Sequence, residues 1–317
     1  MLGSYYSILT VIGFSKVVAI VNPLSGAGAN PEVARQRVAL LESRFAAAEV
    51  VGEVHVTRHS GHAKEIADAA VARRASIVIA WGGDGTINEV GRALAGTDVA
   101  LGIVPAGSGN GFAHDLGVPD APSAAIDAIL HGRDRLVDVG DLDGRSFFNI
   151  AGIGFDAVIA QQFNARAQGQ RGLWPYLQIG LTQAFRYRAL RYSVTLDGET
   201  LESDALLIAF ANGREYGNKL RLAPHARLDD GKLEAVVVAD RTPLARLWCS
   251  RHLALGTANR APGVMLRSVE RAEVCSSEPI LYHVDGELGL AGSSVTVSIR
   301  PGALRVRVPN GVAHERR

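Results

Sequence analysis

The sequence predicts two domains of different class: a doubly wound, mostly parallel α/β domain, then an antiparallel β domain built as a sheet or sandwich. Three observations predict this. Residues 16–104 alternate short apolar runs with stretches of helical spacing. Beyond about residue 138 strand-like runs dominate, several with strict two-residue alternation. Three glycine-rich turns close three strands of the first half, at the carboxyl ends where open α/β sheets bind ligands. The length of 317 residues suits about two domains, and a hydrophobic content of 47% supplies two cores.

Lys16–Val21 is apolar throughout and reads as the first buried strand. It empties into Asn22-Pro-Leu-Ser-Gly26-Ala-Gly28. Asn30-Pro31 then reads as an N-cap with proline at the first helical position, and Val33, Val38, Leu41 and Phe45 continue at helical spacing. Val50–Thr57 is a second strand, His62–Arg74 a second helix and Ser76–Trp81 a third strand. A helix over 87–95 and a strand at Ala100–Val104 follow. In the second half the expected strands are Phe147–Ala151, Tyr192–Leu196, Ala205–Ala211, Leu233–Val238, Arg271–Cys275, Val295–Ile299 and Leu304–Val308, with a helical stretch at Pro175–Tyr187. Val295, Val297 and Ile299 face one side and Thr296, Ser298 and Arg300 the other, the signature of a half-buried antiparallel strand. The domains are expected to span 1–138 and 139–302. The cleft between them is the default place for chemistry.

The most informative segment is Gly82-Gly-Asp-Gly-Thr-Ile-Asn-Glu-Val90, directly after the apolar run 77–81. Glycines admit a ligand close to the backbone, and the amides of the turn and of the helix start favour anions. A carboxylate there would repel bare phosphate, so Asp84 implies a cation between them, typically Mg2+. Together these features point to a nucleoside triphosphate with its metal and to phosphoryl transfer. The plain alternative is a tight strand–helix turn with an aspartate cap. In Pro105-Ala-Gly-Ser-Gly-Asn-Gly111, Ser108 and Asn110 offer hydrogen bonds to phosphate or ribose oxygens. The Walker-type loop is absent. Gly152-Ile-Gly154-Phe-Asp-Ala157 lacks the acidic residue a dinucleotide site needs about 20 positions later, and reads as a bend.

Two acidic turns lie in the second half. His283-Val-Asp-Gly-Glu287 carries a glutamate that could take a proton from a hydroxyl nucleophile, or is simply an Asp-Gly hairpin. Leu228-Asp-Asp-Gly-Lys232 could ligate a cation through a carboxylate and carbonyl oxygens, or is an ordinary turn. Between 157 and 196 stand Arg166, Arg171, Arg186, Arg188 and Arg191 with no acid, interleaved with Trp174, Tyr176, Phe185, Tyr187 and Tyr192. That pattern suits an anionic membrane surface, or equally a solvated face over core aromatics.

Composition excludes several classes. A net charge of +1 makes no case for nucleic acid. Two cysteines, Cys249 and Cys275, exclude a disulfide framework or cysteine-rich zinc site and fit a reducing cytosol. No run approaches the roughly 18–20 apolar residues of a membrane span. The apolar N-terminus, 1–14, lacks the basic start and cleavage site of a signal peptide.

Taken together, Asn22-Pro-Leu-Ser-Gly26, Gly82–Val90, Pro105–Asn110, Leu228–Leu233 and Val284–Glu287 resemble, in order and over nearly the whole chain, the lipid kinase family of bacterial diacylglycerol kinases and sphingosine and ceramide kinases. The resemblance implies an α/β nucleotide domain, a β-sandwich lipid domain and ATP in the cleft, and a final strand, Leu304–Val308 within 303–317, that returns to the first domain. By motif match Asn22, Ser25, Gly26, Thr57, Gly82, Gly83, Gly85, Thr86, Asn88 and Ser108 would line the ATP site, and Asp84 would act through Mg2+. Glu287 matches the general base, and Asp230 with the carbonyls of Arg227 and Lys232 a structural Mg2+ site. One departure stands out. Gly111 occupies the place of an acid usual in bacterial diacylglycerol kinases, so Asp138 or Asp115 is left to supply it. The activity implied is ATP- and Mg2+-dependent phosphorylation of a membrane lipid hydroxyl by a cytoplasmic enzyme that visits the inner membrane face peripherally. A homodimer is left open and no nucleic acid partner is expected. The alternatives are an NAD kinase-like phosphotransferase acting on a soluble ribose and a non-catalytic nucleotide- or lipid-binding regulator.

Overall fold

The computed structural model describes residues 16–26, 31–155, 157–158, 161, 187–217, 220–242, 252, 257 and 260–311. The sequence readings at 1–14, Ala27–Gly28, Asn30, Asp156, Arg166, Arg171, Trp174, Tyr176, Phe185, Arg186 and Cys249 lie outside the described residues, as does all but the last residue of the expected helix at Pro175–Tyr187. The chain divides into two compact units, Met1–Val137 with Ala303–Arg317, and Asp138–Gly302.

The first unit alternates strand and helix: β1 (Val17–Val21), α1 (Pro31–Ala47), β2 (Gly52–Val56), α2 (His62–Ala72), β3 (Ile77–Gly82), α3 (Asp84–Leu94), β4 (Ala100–Pro105), α4 (Gly111–Asp115), α5 (Pro122–His131) and the start of β5 (Arg133–Leu142). Continuous apolar runs make β1, β3 and β4, and every residue of the three is buried, as strands covered on both faces require. α3 turns Ile87, Val90 and Leu94 inward at helical spacing. Its first residue is Asp84, three positions earlier than the apolar pattern predicts, so the acidic side chain stands on the opening turn of the helix. The strand order β4-β3-β1-β2 is parallel throughout. Order therefore reverses between β1 and β3, the switch point beyond which doubly wound sheets bind ligands.

The second unit is antiparallel. After the end of β5 come β6 (Arg145–Phe147), β7 (Ile150–Gly154), β8 (Leu190–Leu196), β9 (Glu199–Ala211), β10 (Glu215–Gly217), β11 (Leu220–Arg221), β12 (Leu233–Ala239), β13 (Val264–Val269), β14 (Arg271–Ser276), β15 (Leu281–Val284), β16 (Glu287–Leu290) and β17 (Ser294–Val308). The long strand β9 is the hub, pairing β8 along its first half and both β7 and β12 along its second. Ile208 and Phe210 enter one core with Phe147, Tyr192 and Val237, while Ala209 and Ala211 enter another with Val236 and Val238. Two-residue alternation thus serves two apolar layers, the packing of a β-sandwich.

The structure revises several elements. Phe147–Ala151 is two strands separated at 148–149. Val295–Ile299 and Leu304–Val308 are one strand, β17, whose Val306 pairs in parallel with Leu101 of β4 in the first unit. Proline and glycine at 301–302 do not break it, because the Gly302 N–H donates to the side-chain carboxylate of Asp138 on β5 at 2.7 Å rather than to a backbone carbonyl. Tyr192, read as an interfacial aromatic, is a core residue. Gly154 adopts φ 83° at the end of β7, consistent with the bend read from its sequence.

Candidate active site

Three loops of the first unit meet beyond the carboxyl ends of β1, β3 and β4. The β1 loop is built around Asn22. Its N–H donates to the Trp81 carbonyl at 2.9 Å, its side-chain amide donates to Thr86 Oγ1 at 2.8 Å, and its Oδ1 accepts the Leu24 N–H. Ser25, buried, donates its hydroxyl to the Asn22 carbonyl. Gly26 has φ 84°, and a Cβ there would lie 3.2 Å from the Ala106 carbonyl of the β4 loop. The β3 and β4 loops touch more closely still: a Cβ on Gly107 would stand 2.9 Å from the Gly83 Cα. Only glycine permits that approach. Asn110, at φ 54°, closes the β4 loop by accepting the Gly107 N–H and donating to the Gly107 carbonyl, both at 2.9 Å. The Asp84 carboxylate then accepts the Asn110 N–H at 3.1 Å.

The structure therefore brings Asn22, Gly82, Gly83, Asp84 and Thr86 into one hydrogen-bonded frame, with Gly26 packed against it. Gly85 lies in the first turn of α3 and Ser108 at the exposed tip of the β4 loop. Thr57, one residue past β2, donates its N–H to Val21 at the end of β1. Asn88 is buried on α3. Such a frame presents helix-start amides and one carboxylate, a set suited to a polyphosphate whose charge is shared with a cation.

Glu287 belongs to the second unit. It opens β16 after the hairpin turn Asp285-Gly286, whose φ angles of 47° and 85° are those of a type I′ turn. The turn is more than a connection. The Asp285 carboxylate accepts the N–H groups of Phe148, Asn149 and Ile150 at 2.8–3.0 Å, plugging the break between β6 and β7. Glu287 itself is partly exposed and lies 3.3 Å from the Arg145 guanidinium, which also donates to the Leu288 carbonyl and covers the Tyr282 ring. Arg145 thereby fixes the direction of the Glu287 carboxylate.

The acidic turn 228–232 hangs on Asp138. That buried carboxylate accepts the N–H groups of Gly231 and Gly302, both at 2.7 Å, and the Asp138 N–H donates to the Leu228 carbonyl. Asp138 is thus tied by three hydrogen bonds within the second unit. Asp115 ends the short helix that Gly111 begins. The Asp230 carboxyl is pushed up by burial and by the charges of Asp138 and Asp229, against the opposing Lys232 N–H and Arg227. The charge of a nearby cation would remove that penalty.

Comparison with known proteins decides the family. Residues 16–142 match the family described as "Diacylglycerol kinase catalytic domain", and residues 149–308 match the "YegS C-terminal NAD kinase beta sandwich-like domain". The chain belongs to the diacylglycerol kinase and YegS-like lipid kinase family. A protein named "Diacylglycerol kinase" from Mycobacterium tuberculosis is 36% identical over 244 residues, covering 74% of this chain and 77% of that one. A "Probable lipid kinase YegS-like" protein from Pseudomonas aeruginosa is 34% identical over 278 residues, 87% of this chain and 90% of that one. The fold matches a crystal structure of a diacylglycerol kinase from Bacillus anthracis strain Sterne with TM-score 0.73 at 22% identity, over 95% of this chain and 99% of that one.

Three residues that support the kinase's site escaped sequence reasoning. Arg37 of α1 donates to the Asn22 carbonyl at 2.7 Å, to Ser25 Oγ at 2.9 Å and to the Ser25 carbonyl at 2.8 Å, while covering the Trp81 ring. Burial lowers the pKa of its guanidinium. Glu89, inside the Gly82–Val90 motif, accepts the N–H groups of Gly61 and Ala63 and so caps α2. Arg145 lies 142 positions from the glutamate it orients. An arginine one helix turn or more into α1 and a glutamate seven residues after the first motif glycine carry no local signal that distinguishes them from surface charges.

Proposed function

We propose that this kinase transfers the γ-phosphate of ATP, as its Mg2+ complex, to a hydroxyl of a membrane lipid. The observation that carries the reading is the joining of three glycine-rich loops: the Gly83–Gly107 approach, the Asn22–Thr86 bond and the Asp84–Asn110 bond. The amides at the start of α3 supply donors to the phosphates, with Ser25 and Thr86 lining the site. Asp84 is the acid that would hold Mg2+, and the ion would neutralise charge developing on the transferred group. Glu287, oriented by Arg145, is the acceptor for the lipid hydroxyl's proton. Asp230, with the carbonyls of Arg227 and Lys232, would hold a second Mg2+ whose role is structural. The lipid character of the acceptor is supported by the names of the relatives. Among the described residues no helix is long and apolar enough to cross a membrane. Substrate is accordingly taken to reach the enzyme at the bilayer surface.

The test is incubation of the purified chain with labelled ATP, Mg2+ and vesicles carrying diacylglycerol, a sphingoid base, ceramide or phosphatidylglycerol, with NAD as a soluble acceptor in a parallel sample. Phosphorylated lipid is expected from the wild type. Glu287→Gln is expected to lose at least the roughly 100-fold assigned to general-base catalysis while still binding ATP. Label in NAD alone overturns the lipid reading. Full lipid phosphorylation by Glu287→Gln overturns the base assignment.

A further inference from the structure

Between β2 and α2 lies a cluster with a different donor chemistry. His59, His62 and Glu65 each bring one ligand atom to within 4.8 Å of the others, the one such group among the described residues. The rings of His59 and His62 stack with centroids 4.7 Å apart and planes at 22°, and His59 Nε2 lies 4.0 Å from the Glu65 carboxylate. The fold sets this spacing. Gly61, at φ 83°, turns the chain, His62 opens α2, and Glu65 follows three positions later on the same helix face.

We propose that His59, His62 and Glu65 form a binding site for a divalent ion of the imidazole-preferring class, such as Zn2+ or Co2+, separate from the oxygen-ligand sites for Mg2+. Two imidazoles and a carboxylate are a donor set for those ions and a poor one for Mg2+. His59 already holds the orientation of a ligand. A carbonyl only accepts, so the 3.0 Å contact with the Ser60 carbonyl places the proton on Nδ1 and leaves the Nε2 lone pair facing Glu65. With bonds of about 2.0–2.1 Å, donors on one tetrahedral ion stand about 3.3 Å apart. His59 and Glu65 are exposed, so side-chain rotation closes the remaining gap without moving the backbone.

His62 gives the site a consequence. Its Nδ1 accepts the Arg58 N–H at 3.0 Å. An ion taking Nδ1 displaces that bond, and an ion taking Nε2 forces the other tautomer and breaks it too. Occupancy therefore frees the amide next to Thr57, in a loop whose other end is tied by Glu89 to α3.

The experiment titrates the untagged full-length protein with Zn2+ by calorimetry, with Mg2+ in millimolar excess to fill the oxygen sites, and repeats it with Co2+ followed by its visible absorption. One equivalent is expected to bind. His59→Ala and Glu65→Ala should weaken binding by at least the roughly 10–100-fold that loss of even an outer-shell partner causes, while His131→Ala, on α5, leaves it unchanged. Melting curves without metal establish that the surface variants fold. Hydrogen exchange at the Arg58 amide should rise on loading. No saturable binding, or binding equal in wild type, His59→Ala and Glu65→Ala, overturns the site. Unchanged Arg58 exchange on loading overturns the displacement.

Discussion

Arg37→Ala tests whether the nucleotide frame is held from behind. The guanidinium makes three hydrogen bonds to the β1 loop at 2.7–2.9 Å and lies over the Trp81 ring at 5.6 Å. Hydrogen bonds to charged groups contribute about 1.5–3 kcal/mol each when fully counted. Arg37 is only partly buried, and water replaces part of what is lost, so truncation should cost about 2 kcal/mol rather than the sum. For a protein of this size that corresponds to a fall of roughly 4–8 °C in the Tm of the first unit. Released from Arg37, the Asn22 and Ser25 backbone must be ordered again when nucleotide binds, which should weaken ATP binding about tenfold, or 1.4 kcal/mol. Arg37→Lys keeps the charge but loses the planar fork that reaches two carbonyls and a hydroxyl together, so it should fall between the two. The assays are scanning calorimetry and fluorescence titration with a labelled ATP analogue. An alanine variant that melts and binds like the wild type would refute the reasoning, because it would show that the loop holds its shape without the arginine.

Two further outcomes follow from side chains that tie elements together. Asp285→Ala strands the N–H groups of Phe148, Asn149 and Ile150. At the low end of the about 1–3 kcal/mol for each donor left without a partner, since these bonds are only partly buried, it should destabilise the second unit by roughly 3 kcal/mol in urea denaturation; a loss below about 1 kcal/mol contradicts the role given to it. Glu53 lies within 3.2–3.3 Å of Lys16, His55 and Arg73. Burial raises its pKa, but hydrogen bonds from Lys16 and His55 and the charges of Arg73 and Lys16 outweigh that and hold it below the ordinary value. A depressed carboxyl contributes stability that is complete above the unfolded value of about 4.3 and is lost as pH falls through the lower folded value. Glu53→Gln should therefore cost about 0.5–1 kcal/mol at neutral pH, the range of exposed ion pairs. Denaturant titrations of the two proteins should converge as pH falls below the carboxylate range, and a gap that persisted into acid would contradict the assignment.

How much of this was legible from the sequence depends on the range of the interaction. The parallel strands announce themselves because β1, β3 and β4 are covered on both faces and so must be apolar along their whole length. The loops announce themselves because the Gly83–Gly107 approach leaves no room for a side chain. What the sequence hides is pairing at a distance. Nothing near Arg145 indicates Glu287, and nothing near Asp285 indicates the three amides leading into β7. The Asp-Gly turn reads equally as an ordinary hairpin or as part of a site. In the structure it is a hairpin whose aspartate anchors the strand break and whose neighbour Glu287 starts the next strand. At Pro301-Gly302 local reasoning breaks β17 in two, because the Asp138 side chain that takes up the freed N–H lies 164 positions away in the chain.

The eleven-residue helix α3 explains why the Gly82–Val90 segment carries more information than any other. Its first residue, Asp84, bonds the β4 loop through the Asn110 N–H. Thr86, two residues on, accepts from Asn22 of the β1 loop. Glu89 reaches the opposite way, to the amides of Gly61 and Ala63 that start α2. Three polar side chains on one short helix thus hold three different connections, and each occupies a position that the helical period aims at a different neighbour. Residues that share one hydrogen-bonded frame do not contribute independently. Loss of the Asn22–Thr86 bond loosens the same helix start from which Asp84 holds Asn110, so paired substitutions should cost less than the sum of the single ones. The chemistry proposed for Asp84 depends on this rigidity, since a carboxylate on a mobile turn could not place a metal-bound phosphate reproducibly.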